Sequence, residues 1–146
     1  MIKYHELKNH TIICGYGIVG EKIAEILKER NIPFVIIDSD QKVIEKAEAQ
    51  EIKAIYGDAT GSKTLKEAAI EFAKTIAIVM DDDAKNLLTT LTARDLNRDI
   101  FIATRANSDF AREKLIEGGA NYIVMPQKVA SKEILKEIFK EFKEKK

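Results

Sequence analysis

The chain has 146 residues, so one domain is expected, long enough to bury a core without disulfides or metals. Lys plus Arg number 24 and Asp plus Glu 24, and this zero formal charge argues against nucleic acid or a membrane surface as a partner held by bulk charge attraction. With 45% hydrophobic and 33% dispersed charged residues the chain reads as a soluble folded domain, and its single cysteine, Cys14, excludes an internal disulfide and suits the cytoplasm.

Residues 1–10 mix Lys3, His5, Glu6 and Lys8, show no signal-peptide pattern, and read as an N-terminal linker. Beyond them the apolar runs are strand-sized, far short of the roughly 20 residues that cross a membrane. The first strand is expected at Thr11–Cys14, followed by Gly15, Gly17 and Gly20 in the spacing G-x-G-x-x-G and a helix over 18–30 with Ile23, Ile26 and Leu27 as its stripe. A second strand at 33–38 ends in Asp38, and Val43, Ile44 and Ala47 mark the next helix. Strands follow at 53–56 and 75–80. Leu87, Leu88, Leu91 and Leu96 are read as the apolar stripe of a helix, and a strand is expected at 100–104. Phe110, Leu115 and Ile116 mark the helix Asp109–Glu117, stopped by Gly118 and Gly119, and a sixth strand falls at 122–125.

The strand candidates are almost continuously hydrophobic, the pattern of strands buried on both faces. Their alternation with helices predicts an α/β fold, a Rossmann-like doubly wound sheet of six parallel strands over 11–126. After it, residues 127–146 place Ile134, Leu135, Ile138, Phe139 and Phe142 on one helical face, with Lys and Glu opposite. That helix either packs on its own sheet or docks on a second subunit.

The glycine triplet stands between a strand and a helix, the setting in which it serves a dinucleotide. Gly15 permits the tight turn, Gly17 lets the backbone approach a pyrophosphate, and Gly20 lets helix and strand close up. The loop Gly15, Tyr16, Gly17, Ile18, Val19, Gly20 is therefore the candidate phosphate cradle. Asp38, 18 residues on, is placed to accept ribose hydroxyls and to repel a 2′-phosphate, with Ser39 beside it. The alternative is a purely structural turn, with Asp38 or Asp40 capping the next helix. Asp58 and Ala59, in Y-G-D-A-T, either read an adenine edge or form an ordinary turn. Asp81 to Asp83 invite a metal reading, but acidic residues also favour a helix first turn; Asp81 is kept as a ligand-side candidate and no metal site is assigned. Arg105 ends the fifth strand and either points into the ligand crevice or pairs with Asp109 on the surface.

Catalytic groups are scarce. His5 and His10 precede the first strand, Cys14 lies inside it, and Tyr4 and Lys8 match Y-x-x-x-K in the wrong place. The chain leaves no segment for a substrate domain, so a binding module is expected rather than an enzyme; the alternative is an NAD-dependent oxidoreductase module lacking its substrate domain.

Taken together, H-T-I-I-C-G-Y-G-I-V-G with its helix and Asp38, Y-G-D-A-T, D-D-D-A-K-N-L-L-T-T-L-T-A-R-D-L-N, I-A-T-R-A-N and G-G-A-N-Y-I-V-M-P resemble the RCK domain, also called the TrkA N-terminal or KTN domain. The likeness runs over residues 9–142. It implies a cytoplasmic regulator at the inner face of the membrane, attached to or partnering a potassium channel pore or a transporter membrane subunit. It implies an adenine nucleotide, NAD(H) first, with ATP, ADP or AMP as alternatives. It also implies a homodimer within an octameric gating ring, with the last helix crossing to a neighbouring subunit. By position Gly15, Gly17, Gly20, Asp38, Asp58, Ala59 and Arg105 match the family's nucleotide site. Ile18 stands where many members have arginine, Ala103 and Arg105 stand where calcium-gated members have acids, and Gln127 follows Pro126 where some members have glutamate.

Overall fold

The computed structural model describes residues 1–144; Lys145 and Lys146, the end of the expected C-terminal segment, lie outside the described residues. Six parallel strands run in the order β3-β2-β1-β4-β5-β6, with β1 Thr11–Cys14, β2 Phe34–Asp38, β3 Ala54–Tyr56, β4 Thr75–Ile78, β5 Phe101–Arg105 and β6 Tyr122–Val124. The helices are α1 Ile18–Glu29, α2 Gln41–Ala49, α3 Ser62–Glu67, α4 Asp83–Leu96, α5 Asp109–Glu117 and α6 Pro126–Glu144. The expected Rossmann-like sheet is what forms.

Side chains alternate across the strands. Ile13, Ile36 and Ala54 pack under Ala24 of α1 and Ile44 and Ala47 of α2. Ile12, Cys14, Val35, Ile37, Ile76, Ile78 and Ile102 face the other way, against Leu65 of α3, Ile70 and Ala93 of α4. Right-handed crossovers dictate this division: α1 and α2 return the chain in one direction along the sheet, α4 and α5 in the other.

Helix α3 and the 3-10 turn Ile70–Phe72 were not anticipated. Six residues, S-K-T-L-K-E, with only Thr64 and Leu65 buried are too short to show a periodicity. The leucine reading of α4 is corrected. Its buried face is Asn86, Thr89, Thr90 and Ala93, at i, i+3, i+4 and i+7, whereas Leu88 and Leu91 are exposed. The helix is turned so that small and hydrogen-bonding side chains meet the sheet, while Leu87 and Leu96, half-buried, pack against core clusters as expected. In α5 Leu115 is buried as expected, but Ala111 takes the place expected of Phe110 and Ile116, which are exposed.

Residues 1–10 lie against the edge where the strands begin. Leu7 and His10 are buried, the Lys3 N–H donates to Glu67 O at 3.0 Å, and the Asn9 N–H donates to Phe72 O at 2.8 Å. His10 Nε2 is 2.8 Å from Ala68 O, and burial pushes its imidazole below the ordinary histidine range. Arg94 closes the lower end of β5 and α5: its guanidinium donates to the carbonyls of Arg98, Ile100 and Gly119 and to Asn121 Oδ1.

Helix α6 starts on Pro126, a residue suited to the first helical position because its missing N–H is not needed there. From Gln127 to Lys143 every side chain is exposed. It does not pack on its own sheet, so that alternative is set aside. The sheet face it leaves uncovered follows from the register: Ala77, Ala103 and Tyr122 continue the row of Ile13, and Phe101 the row of Thr11. Phe101 and Tyr122 are about half exposed there.

Candidate functional site

The strand order reverses between β1 and β4, and ligands of open α/β sheets bind outside the carboxyl ends at such a point. Here those ends carry the glycine loop from β1 and residues 79–82 from β4. Two adjoining cavities open there. One, of about 450 Å3, is lined by Gly15, Ile37, Asp38, Ser39, Gly57, Asp58, Ala59, Met80, Asp81, Asp82 and Lys85. The other, of about 470 Å3, runs along Gly15 to Val19 and is bounded by Asp38, Val79, Met80, Asp81 and Arg105. They share Gly15, Asp38, Met80 and Asp81, so they form one crevice with two carboxylates where its halves meet. All twelve residues expected to bind a cofactor line it except Gly20, whose place is structural.

The three glycines do different work. Gly15 has φ +99°, and its N–H donates to Ile37 O at 2.9 Å, which ties the loop to β2. A Cβ on Gly20 would lie 1.9 Å from Gly15 O, so the close crossing of loop and helix forbids any side chain. A Cβ on Gly17 would meet nothing within 4 Å. The fold therefore does not need glycine at 17, and the open space over its backbone is what a phosphate approach requires. Gly17 is also the N-cap of α1 and makes no side-chain capping bond. The first N–H groups of α1 and the positive end of its dipole thus face the crevice, an arrangement that favours an anion.

Asp38 holds the loop as well as lining the crevice. Its Oδ2 accepts the Tyr16 N–H at 2.8 Å and its Oδ1 accepts the Asp40 N–H at 2.9 Å. Each carboxylate oxygen retains a lone pair for a hydroxyl donor. The helix cap is Asp40, which accepts the Lys42 N–H at 2.9 Å. Asp58 Oδ1 accepts both the Thr60 N–H and the Thr60 hydroxyl, and these bonds hold its carboxyl below the usual range. That is the ordinary turn considered for this stretch, yet it lies on the wall of the crevice, beside the buried Ala59.

The acidic run divides into three tasks. Asp82 caps α4 through the Lys85 N–H, Asp83 accepts the Asn107 N–H at 2.9 Å, and Asp81 lies 3.7 Å from Arg105 Nη2. Among the described residues no group of three or more His, Cys, Asp or Glu is placed to hold a metal ion. The alternative pairing of Arg105 with Asp109 does not form: Arg105 borders the crevice and meets Asp81 and Asn107, and Asp109 takes Lys128 of α6 at 2.7 Å.

Asn86 was missed by sequence reasoning and is central. Fully buried, it accepts the Met80 N–H through Oδ1 at 3.1 Å and donates through Nδ2 to Met80 O at 2.9 Å and Arg105 O at 3.3 Å. One amide thus pins the ends of β4 and β5 to α4 and sets both the floor of the crevice and the base of Arg105. The spacing of Asn86 with Thr89, Thr90 and Ala93 was the available signal, hidden because only apolar residues were counted.

The groups considered for catalysis are elsewhere. The Tyr4 hydroxyl is bonded to the backbone of Ala54 at the opposite edge of the sheet, and Cys14 is fully buried, which pushes its thiol up and away from thiolate chemistry.

Residues 11–126 match the family described as the TrkA-N domain. The chain is 46% identical over 136 residues to "Potassium channel protein 1" of Methanocaldococcus jannaschii, covering 92% of this chain and 41% of that protein. It therefore spans well under half of that curated relative. Among solved structures, the TrkA-N domain of the inner membrane protein ybaL from Escherichia coli superposes with a TM-score of 0.87 at 27% identity, covering 90% of this chain and 97% of that one. The GsuK channel bound to NAD gives a TM-score of 0.75 at 26% identity over 82% of this chain and 22% of that one; the form bound to ADP gives 0.74 at 30% over 87% and 33%. No helix among the described residues is long and apolar enough to cross a membrane.

Proposed function

The chain belongs to the TrkA-N domain family, and on that premise we propose that it is a nucleotide-sensing regulatory domain of a potassium channel or potassium transporter, working on the cytoplasmic side of the membrane. The observation that carries this is the uncapped N-terminus of α1 behind Gly17, opening on a crevice at the switch point of the sheet. Similarity to a channel of Methanocaldococcus jannaschii supplies the transport context. An adenine nucleotide is the ligand, NAD(H) first, since a related channel is seen with NAD and with ADP; ATP and AMP are the alternatives. The adenosine half lies toward Asp38, Ser39, Asp58 and Ala59, and the phosphates lie along residues 15–20 toward Arg105. The domain carries out no chemistry on it. A ligand that binds one arrangement of subunits better than another shifts their equilibrium by its differential affinity.

The test is thermal unfolding with NAD, NADH, ATP, ADP and AMP. A ligand at 100 times its Kd stabilises by about 2.7 kcal/mol. At least one nucleotide is expected to do so, and Asp38→Ala to abolish the shift. No shift with any nucleotide, or shifts that survive Asp38→Ala, would remove the reading.

The subunit arrangement is part of the same proposal: a homodimer, extended to an octameric ring, with residues 127–146 as its crossover segment and 11–126 as the nucleotide domain. Support comes from the exposed row Ile134, Leu135, Ile138, Phe139 and Phe142 on α6, together with the uncovered sheet face at Phe101 and Tyr122. Monomeric proteins rarely leave so much contiguous apolar surface in water. In sedimentation experiments Phe139→Glu is expected to convert dimers into monomers without lowering the unfolding midpoint of the monomer; dimers that persist in this variant place the interface elsewhere.

A further inference from the structure

Arg105 is held firmly at its base and poorly at its tip. Its backbone carbonyl is fixed by Asn86, and its side chain is only 19% exposed. A guanidinium has five N–H donors. Here Nη2 reaches Asn107 Oδ1 at 3.2 Å and stands 3.7 Å from Asp81 Oδ1, while the buried Nε has no acceptor among the described residues. Asp81 is the reverse: its side chain is 92% exposed and reaches Arg105 only at ion-pair distance. It lines both halves of the crevice. Arg105 is the enclosed partner and Asp81 the exposed one, so an incoming phosphate meets a guanidinium with donors to spare and a carboxylate free to swing into water.

Along the glycine-loop half, Arg105 is the one cationic side chain among the described residues, against Asp38 and Asp81. On the reading of this crevice as a nucleotide site, we propose that Asp81 is a built-in competitor for the ligand phosphate. It occupies Arg105 until a phosphate displaces it, and so sets the affinity according to ligand charge. A dinucleotide pyrophosphate, with about one charge per phosphate, is admitted at low cost. A terminal phosphate, carrying more charge, needs Arg105 more and is penalised more by Asp81.

The experiment is titration calorimetry of NAD and ADP against the full chain, Asp81→Asn, Arg105→Gln and the double variant, each first shown to unfold cooperatively. Asp81→Asn is expected to tighten ADP about two- to fivefold, the worth of a partly exposed ion pair, and NAD less. Arg105→Gln weakens ADP, and in that background Asp81→Asn brings no gain. An equal gain in both backgrounds means plain repulsion and overturns the competition, as does no gain in either. If the unaltered chain binds neither NAD nor ADP, this inference falls, and the site reading falls with it when NADH, ATP and AMP also leave the unfolding midpoint unmoved; if it binds and Asp81→Asn changes nothing, only the inference falls.

Discussion

Asn86→Ala is expected to lower stability by about 3 kcal/mol and to weaken nucleotide binding at the same time. The magnitude follows from what is left behind. The variant strips partners from the Met80 N–H, the Met80 carbonyl and the Arg105 carbonyl, around a side chain that is itself fully buried. Leaving one buried polar group unsatisfied costs about 1–3 kcal/mol, and the lost amide leaves a small void besides. Urea unfolding measures it, with the midpoint falling at constant slope. Asn86→Asp separates the two halves of the amide. Oδ1 still accepts the Met80 N–H, but the second oxygen now faces the two carbonyls that Nδ2 served. A buried carboxylate so placed has its folded-state pKa raised above the unfolded value. The sign is therefore fixed: Asn86→Asp is weakest at neutral pH and regains stability as pH falls through the folded pKa, when the protonated carboxyl can donate to one carbonyl. If Asn86→Ala unfolds like the unaltered chain, the amide is not the pin of β4, α4 and β5.

The sheet was legible because β1 and β2 are buried on both faces, and β4 and β5, though open on one face, are still nearly unbroken apolar runs. Their order follows from the alternation of strands and helices. The α4 face was not legible by the same rule. Two threonines, an asparagine and an alanine meet the sheet there: Asn86 reaches backbone groups at the strand ends, Thr90 bonds back to Asn86 O within the helix, and small side chains let the helix lie close to the strands. Counting leucines was half right: Leu87 and Leu96 pack against core clusters, but Leu88 and Leu91 are exposed. The same limit applied to Asn86, whose role depends on three backbone groups from two strands far apart in sequence. In the crevice itself, residue types and spacing located the loop, Asp38 and Arg105. They did not reveal that Asp38 already carries the Tyr16 N–H, or that Arg105 turns to Asp81 rather than Asp109. Those choices are made by side-chain rotamers after the strands are in register, and Asp109 is diverted by Lys128 of a helix whose position was open.

The strongest contrast lies within the glycine triplet. Gly20→Ala is expected to cost more than about 4 kcal/mol, the exceptional range reserved for a steric conflict that cannot relax. Its Cβ would press on Gly15 O at 1.9 Å. Gly15 cannot retreat, because φ is +99° there and Met80 packs within about 3 Å of the position its own Cβ would occupy. Either the loop leaves β4 or α1 leaves β1, and both destroy the crevice along with the core contacts of Ala24. Gly17→Ala is expected to do the opposite. Its φ of −84° is open to any residue, and no atom lies within 4 Å of the new methyl group. Stability should fall by no more than about 1 kcal/mol, because alanine is a poorer N-cap than glycine while the stiffer unfolded chain offsets part of that loss. Nucleotide affinity should nonetheless fall at least about tenfold, equivalent to about 1.4 kcal/mol, because the methyl group takes the space through which a phosphate reaches the α1 N–H groups. Unfolding curves and calorimetric titration of the two variants side by side make the comparison. A Gly17→Ala chain that folds and binds like the parent would mean that no phosphate lies against this loop, and that the triplet serves only the turn that Gly15 and Gly20 build.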